Sequence, residues 1–521
     1  MAEYEVIVAG GGHNGLTAAA YLAKAGVNVC VLEKNDWVGG GVVSREVTLP
    51  GFKHDVGAGF HIFVQPNPLI QNDELQLQSK YGLKYLHPEP AITVIFPDDG
   101  AISFYKDIDK TCQSIAKFSQ KDAEAYRRYF EWANPIVDML FMGMFSPPPP
   151  LGALFAQLEQ NEVGQELMRA LMMSGLATIN EWFEDERVKA CMMRFVSEAI
   201  VSPDDNGTGY YLLVMIPLIH RFGMSFPEGG SGELSESLAR SIKANGGTIR
   251  TGVTVKSIKM DAGKASGVIL ESGEQITARK AVVCDLNIKQ IFPAMVEGAS
   301  VDPEFTKRVQ RLSRAGFLGL MQSLALNQSP NYKAGEEANK SGMVEFCEWL
   351  EPFRRSFDNF KFGIPDTTMP LSACHTVTDP TRAPAGKHTL YLFNYEPFEL
   401  KEGTWASRKQ EVADGILGTV TKHATNMGPE NVIGRYIDSP PDLQKWSESW
   451  PGGDATHIGS FLYQSMGNRP LPGWAQFRMP VERLYLVGPS AYPGLGCTAG
   501  SRAAMPVIME DLGLDFEKVI R

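Results

Sequence analysis

An α/β fold is predicted by three observations. Residues 5–9 read as a short buried strand that feeds a glycine-rich turn and then a helix-patterned run. A second glycine-rich turn, at 229–232, opens a helix pattern that gives way to strand-like chain by 248–258. A third strand, 483–488, ends in glycine and leads through 493–500 into another helix-like stretch. Strands alternating with helices through glycine turns predict a mainly parallel sheet. Three such units, widely spaced, predict one sheet assembled from discontinuous segments and an interleaved α+β domain built by the chain between them.

The first unit is the most informative. After Glu-Val-Ile-Val-Ala comes Gly10-Gly11-Gly12-His13-Asn14-Gly15, a GxGxxG pattern. Helical character follows from Leu16, with Gly26 as its stop. Residues 28–32 give a second strand, and Glu33 ends it. Each position has a physical task in a Rossmann-type dinucleotide site. Gly10 makes the tight turn, Gly12 lets a diphosphate approach the backbone, and Gly15 permits close helix–strand packing. His13 and Asn14 belong to the phosphate loop, and the helix start offers N–H groups to anions. Glu33 is placed to accept ribose hydroxyls, and its charge disfavours a 2′-phosphate. Lys34 and the cluster Gly39-Gly40-Gly41 follow, then glycines at 51, 57 and 59.

The run HNGLTAAAYLAKAGVNVCVLEKNDWVGGG resembles the phytoene-desaturase-like FAD oxidoreductases, a family of carotenoid desaturases, carotenoid ketolases, retinol-saturase-like enzymes and uncharacterised relatives. The resemblance implies non-covalent FAD, with Gly39, Gly40 and Gly41 in its site. It also implies that the mid-chain block returns to the FAD domain, with the Val255 backbone against the adenine. The late block, with Gly488, Gly494 and Gly496, is implied to lie along the flavin and ribityl chain. Many related flavoenzymes carry an acid after that strand's glycine; Pro489 stands there in this chain. The expected division is 1–60, 226–298 and 476–521 for the FAD-binding domain, and 61–225 with 299–475 for the substrate-binding domain. The blocks at 379–393, with a surface turn feeding a strand, and at 452–454 and 469–470 also match the family. The pattern at 80–86 resembles the ketolase branch.

Composition narrows the function. Net charge is −11, so nothing favours nucleic acid, whose binders carry a basic surplus. Seven cysteines without CxxC spacing argue against both a disulfide framework and a thiolate zinc site, and no metal ligand pattern stands out. A reducing, cytoplasmic setting is expected, since no basic leader precedes the first strand. The longest uncharged stretch, 139–158, is interrupted by Pro147, Pro148, Pro149 and Pro150 and cannot form a spanning helix. Its Met- and Phe-rich start, with Leu171-Met172-Met173, reads as core, as an apolar substrate tunnel or as a lip for peripheral membrane contact.

The catalytic candidates are His61, just past the 57–59 turn, as base or orienting group, and Tyr492, beside the flavin-side turn. The expected activity is oxidoreduction at carbon–carbon or allylic bonds of an apolar isoprenoid, polyene or alicyclic small molecule. The alternatives are ketolase-like oxygenation, a redox-neutral flavin-dependent isomerase, an amine oxidase-type flavoenzyme, for which no framing aromatic pair is identified, and a non-enzymatic flavin-binding protein.

Overall fold

A computed structural model describes residues 3–296, 301–494 and 496–521. Leu495, inside the third glycine-rich turn, lies outside the described residues. Two seven-stranded sheets organise the chain.

In the first sheet the strand Glu3–Ala9 lies centrally, parallel to Val29–Leu32 on one side and to Gln275–Cys284 on the other. Thr248–Arg250 extends it beyond Val29–Leu32. The strand Gln275–Cys284 has two neighbours on its outer edge. Its first half pairs antiparallel with Lys264–Leu270, which turns back into Val255–Asp261. Its second half pairs parallel with Leu484–Leu486. Val6, Ile7, Val8 and Val29 are fully buried, as the near-continuous apolar run of a strand covered on both faces requires. The helix His13–Lys24 packs against Gly232–Ala244 on one face of the sheet. The helix begins at His13, three residues before its apolar pattern, because the glycine turn is itself the helix start.

The core around this sheet also takes Leu69, Leu75 and Leu77 from the chain after residue 61, and Phe305, Val309 and Ile458 from later segments. The second sheet runs in the order Val432–Asp438, Leu320–Leu326, His388–Asn394, Leu371–Ala373, Met343–Phe346, Ile92–Ile95, Ala101–Phe104. It is antiparallel except between Met343–Phe346 and Ile92–Ile95.

Helices between 108 and 222 form a layer over this sheet. The polar run at 110–132 falls in two helices, Ile108–Ala116 and Gln120–Met144, separated where Ser119 caps the second. The second continues past Pro135 and carries residues 139–144 in its final turns. The run at 379–388, expected at the surface, is partly interior. Asp379 and Arg382 are buried, because Arg382 pairs with the buried Asp55 at 2.8 Å and Asp379 accepts the Gly229 N–H at 2.7 Å. Among the described residues, no helix is long and apolar enough to cross a membrane.

Candidate active site

The three glycine-bearing segments converge. Gly39 N–H donates to the Gly11 carbonyl at 2.7 Å, and Ala58 N–H to that of Gly41 at 2.9 Å. Ser501 closes the third segment onto the first: its N–H and hydroxyl donate to the side-chain and main-chain oxygens of Asn14, at 3.2 and 2.7 Å. Asn67 donates to the carbonyls of Thr498 and Ala499 at 3.0 and 3.1 Å, holding the same loop from another side.

A cavity of about 590 Å³ opens between these segments and the second sheet. Gly10, Gly12, His13, Asn14, Glu33, Lys34, Gly40, Gly41, Val255 and Gly496 all line it. Gly15 lies beneath the loop. A Cβ there would sit 2.2 Å from the Gly10 carbonyl oxygen, and one at Gly12 would sit 2.5 Å from Asp285 Oδ2. Side chains are therefore excluded on both sides of the turn, which leaves bare backbone facing the cavity. Gly39 bridges to Gly12, and Gly488 packs on Asp285. Gly494 packs on the Arg469 guanidinium, 2.4 Å from where its Cβ would stand.

Glu33 is buried, and burial raises its carboxyl above the ordinary value against N–H donation from Asn35 and Gly11, each at 2.8 Å. Lys34 pairs with Glu448, both half exposed. His13 is buried to the point that its pKa falls to about 4, so its imidazole is neutral, hydrogen-bonded to Asn14 at 3.2 Å. Asp285 carries no signal in the sequence pattern. It lines the cavity beside Gly10 and Gly12, and its Oδ2 accepts the Gly15 N–H at 2.8 Å. Burial, reinforced by the charge of Glu33, pushes it up to about 7.

Pro489, which stands where many related flavoenzymes place an acid, lends its carbonyl to Arg469 at 2.9 Å from Nε. Arg469 is buried, and among the described residues it makes no ion pair with a carboxylate. Its guanidinium is satisfied by the carbonyls of Thr456, Ile458, Gly459, Gln464, Pro489 and Ala491. Burial lowers it to about 10. One side chain thus ties the 456–464 loop to the turn at 489–491.

His61 lies outside the cavity lining, fully buried, with Nδ1 3.0 Å from the Tyr85 hydroxyl and Nε2 2.5 Å from Ser231 Oγ. Burial, then the neighbouring His13, drops it to about 3. Tyr492 also lies off the lining; its hydroxyl donates to the Gly143 carbonyl at 2.8 Å, and burial raises its pKa. Sequence reasoning also missed Trp446, Trp450 and His457, which line the cavity from either side of the 452–454 block. It missed the alternating row Tyr391, Phe393 and Tyr395, whose period of two is the available signal. Among the described residues no group of three or more His, Cys, Asp or Glu side chains is arranged to hold a metal ion.

A bare glycine turn at a helix start, an acid at the end of the next strand and a cavity beyond them fit a dinucleotide-binding site. A model of flavin containing amine oxidoreductases matches residues 15–285, just over half of the chain, and the chain belongs to that family. Its cofactor is FAD, and it is an oxidoreductase. The chain is 30% identical over 98% of its length to the rat pyridine nucleotide-disulfide oxidoreductase domain-containing protein 2, covering 94% of that protein. It is 24% identical to one of the polypeptides of limonene dehydrogenase from Castellaniella defragrans, over 98% of this chain and 95% of that one. The fold matches an oxidoreductase from Methanosarcina mazei with a TM-score of 0.63 at 20% identity, covering 97% of this chain and 99% of that one.

Proposed function

We propose that this flavoenzyme dehydrogenates carbon–carbon or allylic bonds of an apolar isoprenoid, polyene or alicyclic substrate. The observation that carries this reading is the cavity's second half. Beyond the glycine loops it is lined by Ile62, Phe63, Met215, Met321, Met343 and Phe393. Such a wall orients a hydrocarbon by shape and excludes water, and methionines adapt to irregular carbon skeletons. The limonene dehydrogenase polypeptide among the relatives supports the same substrate class.

Bound FAD supplies the two-electron acceptor. In this reading Gly10, Gly12 and Gly15, with His13 and Asn14, form the diphosphate cradle, and Glu33 takes the ribose hydroxyls. Lys34 and the turn Gly39-Gly40-Gly41 close over the nucleotide, the Val255 backbone meets the adenine, and Gly488, Gly494 and Gly496 border the flavin. His61 is assigned as a positioning residue. With both ring nitrogens engaged, it holds Ser231, at the head of the second glycine segment, against Tyr85. Tyr492 positions the flavin-side turn through Gly143. The 1–60, 226–298 and 476–521 segments remain the FAD-binding part of this reading. The exposed Met139 and Met142 make the 139–158 segment our candidate for peripheral membrane contact in a cytoplasmic protein.

The test is anaerobic mixing of the FAD-loaded protein with cyclic monoterpenes, linear polyenes and primary amines. Bleaching of the visible flavin bands by the hydrocarbons is the expected result. Bleaching by amines alone would replace this reading with amine oxidation.

A further inference from the structure

One charged side chain intrudes on the apolar half of the cavity. Glu198 lines it beside Ile200, Met215 and Tyr395. The other charged lining residues, Glu33, Lys34, Lys256, Glu271, Asp285 and Glu448, belong to the dinucleotide sheet, the loops at its edge or the turn beside it. A carboxylate in hydrocarbon surroundings is costly unless its position is built and its charge matched.

Both conditions hold. Glu198 follows directly on the helix Glu186–Ser197, as its C-terminal cap. One turn back, the fully buried Arg194 stands with Nε 3.8 Å from Glu198 Oε1 and 3.2 Å from Glu345 Oε1. The Tyr395 hydroxyl lies 3.0 Å from Glu198 Oε1 and 3.0 Å from the Ser197 carbonyl. Its ring lies 5.1 Å from the Arg194 guanidinium. Ile200, two residues on, holds φ at 59°, a left-handed conformation that a β-branched residue rarely adopts. Such strain persists where the surroundings over-determine it, and it collects at ligand sites. The turn that places Glu198 at the cavity wall is thus held against its own preference.

We propose that Glu198 is a substrate anchor: the apolar substrate carries one neutral hydroxyl group, which donates its hydrogen bond to this carboxylate. The assignment rests on the apolar-substrate reading above and narrows it to alcohols. Charge balance selects a neutral donor over a cation. Burial, then the nearby Glu198, push the Glu345 carboxyl well above the usual range against the pull of Arg194. Arg194 already places one buried cation within ion-pair distance of Glu198, and an ammonium group would bring a second cation to the same carboxylate. A hydroxyl completes the hydrogen bonding without changing the charge.

The test is equilibrium binding to the FAD-loaded protein, read from perturbation of the flavin absorption spectrum. The probes are geraniol, its methyl ether, the matching hydrocarbon 2,6-dimethylocta-2,6-diene, and geranylamine. Geraniol is expected to bind about tenfold more tightly than the ether or the hydrocarbon, as one charge-assisted hydrogen bond provides. In Glu198→Leu that preference falls within twofold, with hydrocarbon binding retained or improved. Glu198→Gln, which keeps the shape, serves where the leucine variant fails to hold FAD, and is expected to reduce the preference at least threefold. Equal binding of alcohol, ether and hydrocarbon by the wild type, or an unchanged preference in both variants, overturns the anchor while leaving the apolar-substrate reading standing. Tightest binding of geranylamine overturns the neutral-hydroxyl assignment. Failure of all four probes to bind overturns the apolar-substrate reading and the anchor together.

Discussion

Asp285 sits where a negative charge is least welcome, against the turn proposed to receive a diphosphate. Burial and Glu33 move its pKa from 3.8 to about 7. Because the folded value is raised, the stability this group contributes is full below its unfolded pKa and is lost as pH rises towards about 7. Cofactor binding follows from the same shift. Below about 7 the carboxyl is already neutral in the apoprotein; above it, an incoming anion requires a proton to be taken up. The FAD dissociation constant, measured by flavin fluorescence quenching, is expected to rise with pH above this point, by up to about tenfold per unit. Asp285→Asn keeps an acceptor for Gly15 N–H and is expected to flatten the profile.

The long helix Gln120–Met144 and the helix Glu186–Ser197 are tied by a buried side chain. Asp122, buried in the first turn of the former, accepts the N–H groups of Glu184 at 3.0 Å and Asp185 at 2.6 Å. Asp185 in turn caps the second helix. Asp122→Ala removes the acceptor of two part-buried N–H donors and is expected to cost about 1–2 kcal/mol in urea denaturation. It also loosens the element that leads to Glu198. At this scale the sequence is legible unevenly. Strand, glycine turn, helix and terminal acid are neighbours along residues 5–33, so local pattern suffices to read the dinucleotide unit. The apolar wall is different: Ile62, Met215, Met321 and Phe393 come from four distant elements, and each alone looks like ordinary core. Glu198 left a trace, an i,i+4 Arg–Glu pair within the apolar run 190–200, but only Glu345 and Tyr395, far along the chain, make that pair a site. The cage of carbonyls around Arg469 left none, because its ligands are main-chain atoms.

Across the whole molecule, the segment 44–59 lies between the second glycine turn, whose Gly232 N–H donates to Ser44 Oγ at 3.0 Å, and the second sheet, whose Tyr391 hydroxyl donates to the Gly57 carbonyl at 3.1 Å; the block at 379–393 belongs to that second sheet. Asp55 and Arg382 pin them together: the pair is buried on both sides, and Asp55 Oδ1 also receives the Ser231 N–H at 2.9 Å. Removing one member strands the other without solvent. Arg382→Met is expected to lower unfolding free energy by roughly 3–5 kcal/mol. It is also expected to lower FAD retention after gel filtration, since Ser231, Gly229 and the glycine turn after Asp55 lose a common support. Wild-type retention in a stably folded Arg382→Met protein would show that the 44–59 segment is held in place by other contacts.

The shared edge of Gln275–Cys284 has a consequence for biosynthesis. Its second half receives Leu484–Leu486, and the turn that follows that strand closes one wall of the cavity. These belong to the last of the three glycine-bearing segments to leave the ribosome. A nascent chain with the first two segments already folded therefore presents a half-edged sheet and an open trough. In the proposed reading flavin capture waits on the final segment, so the cofactor becomes enclosed only in a chain that has been translated through all three.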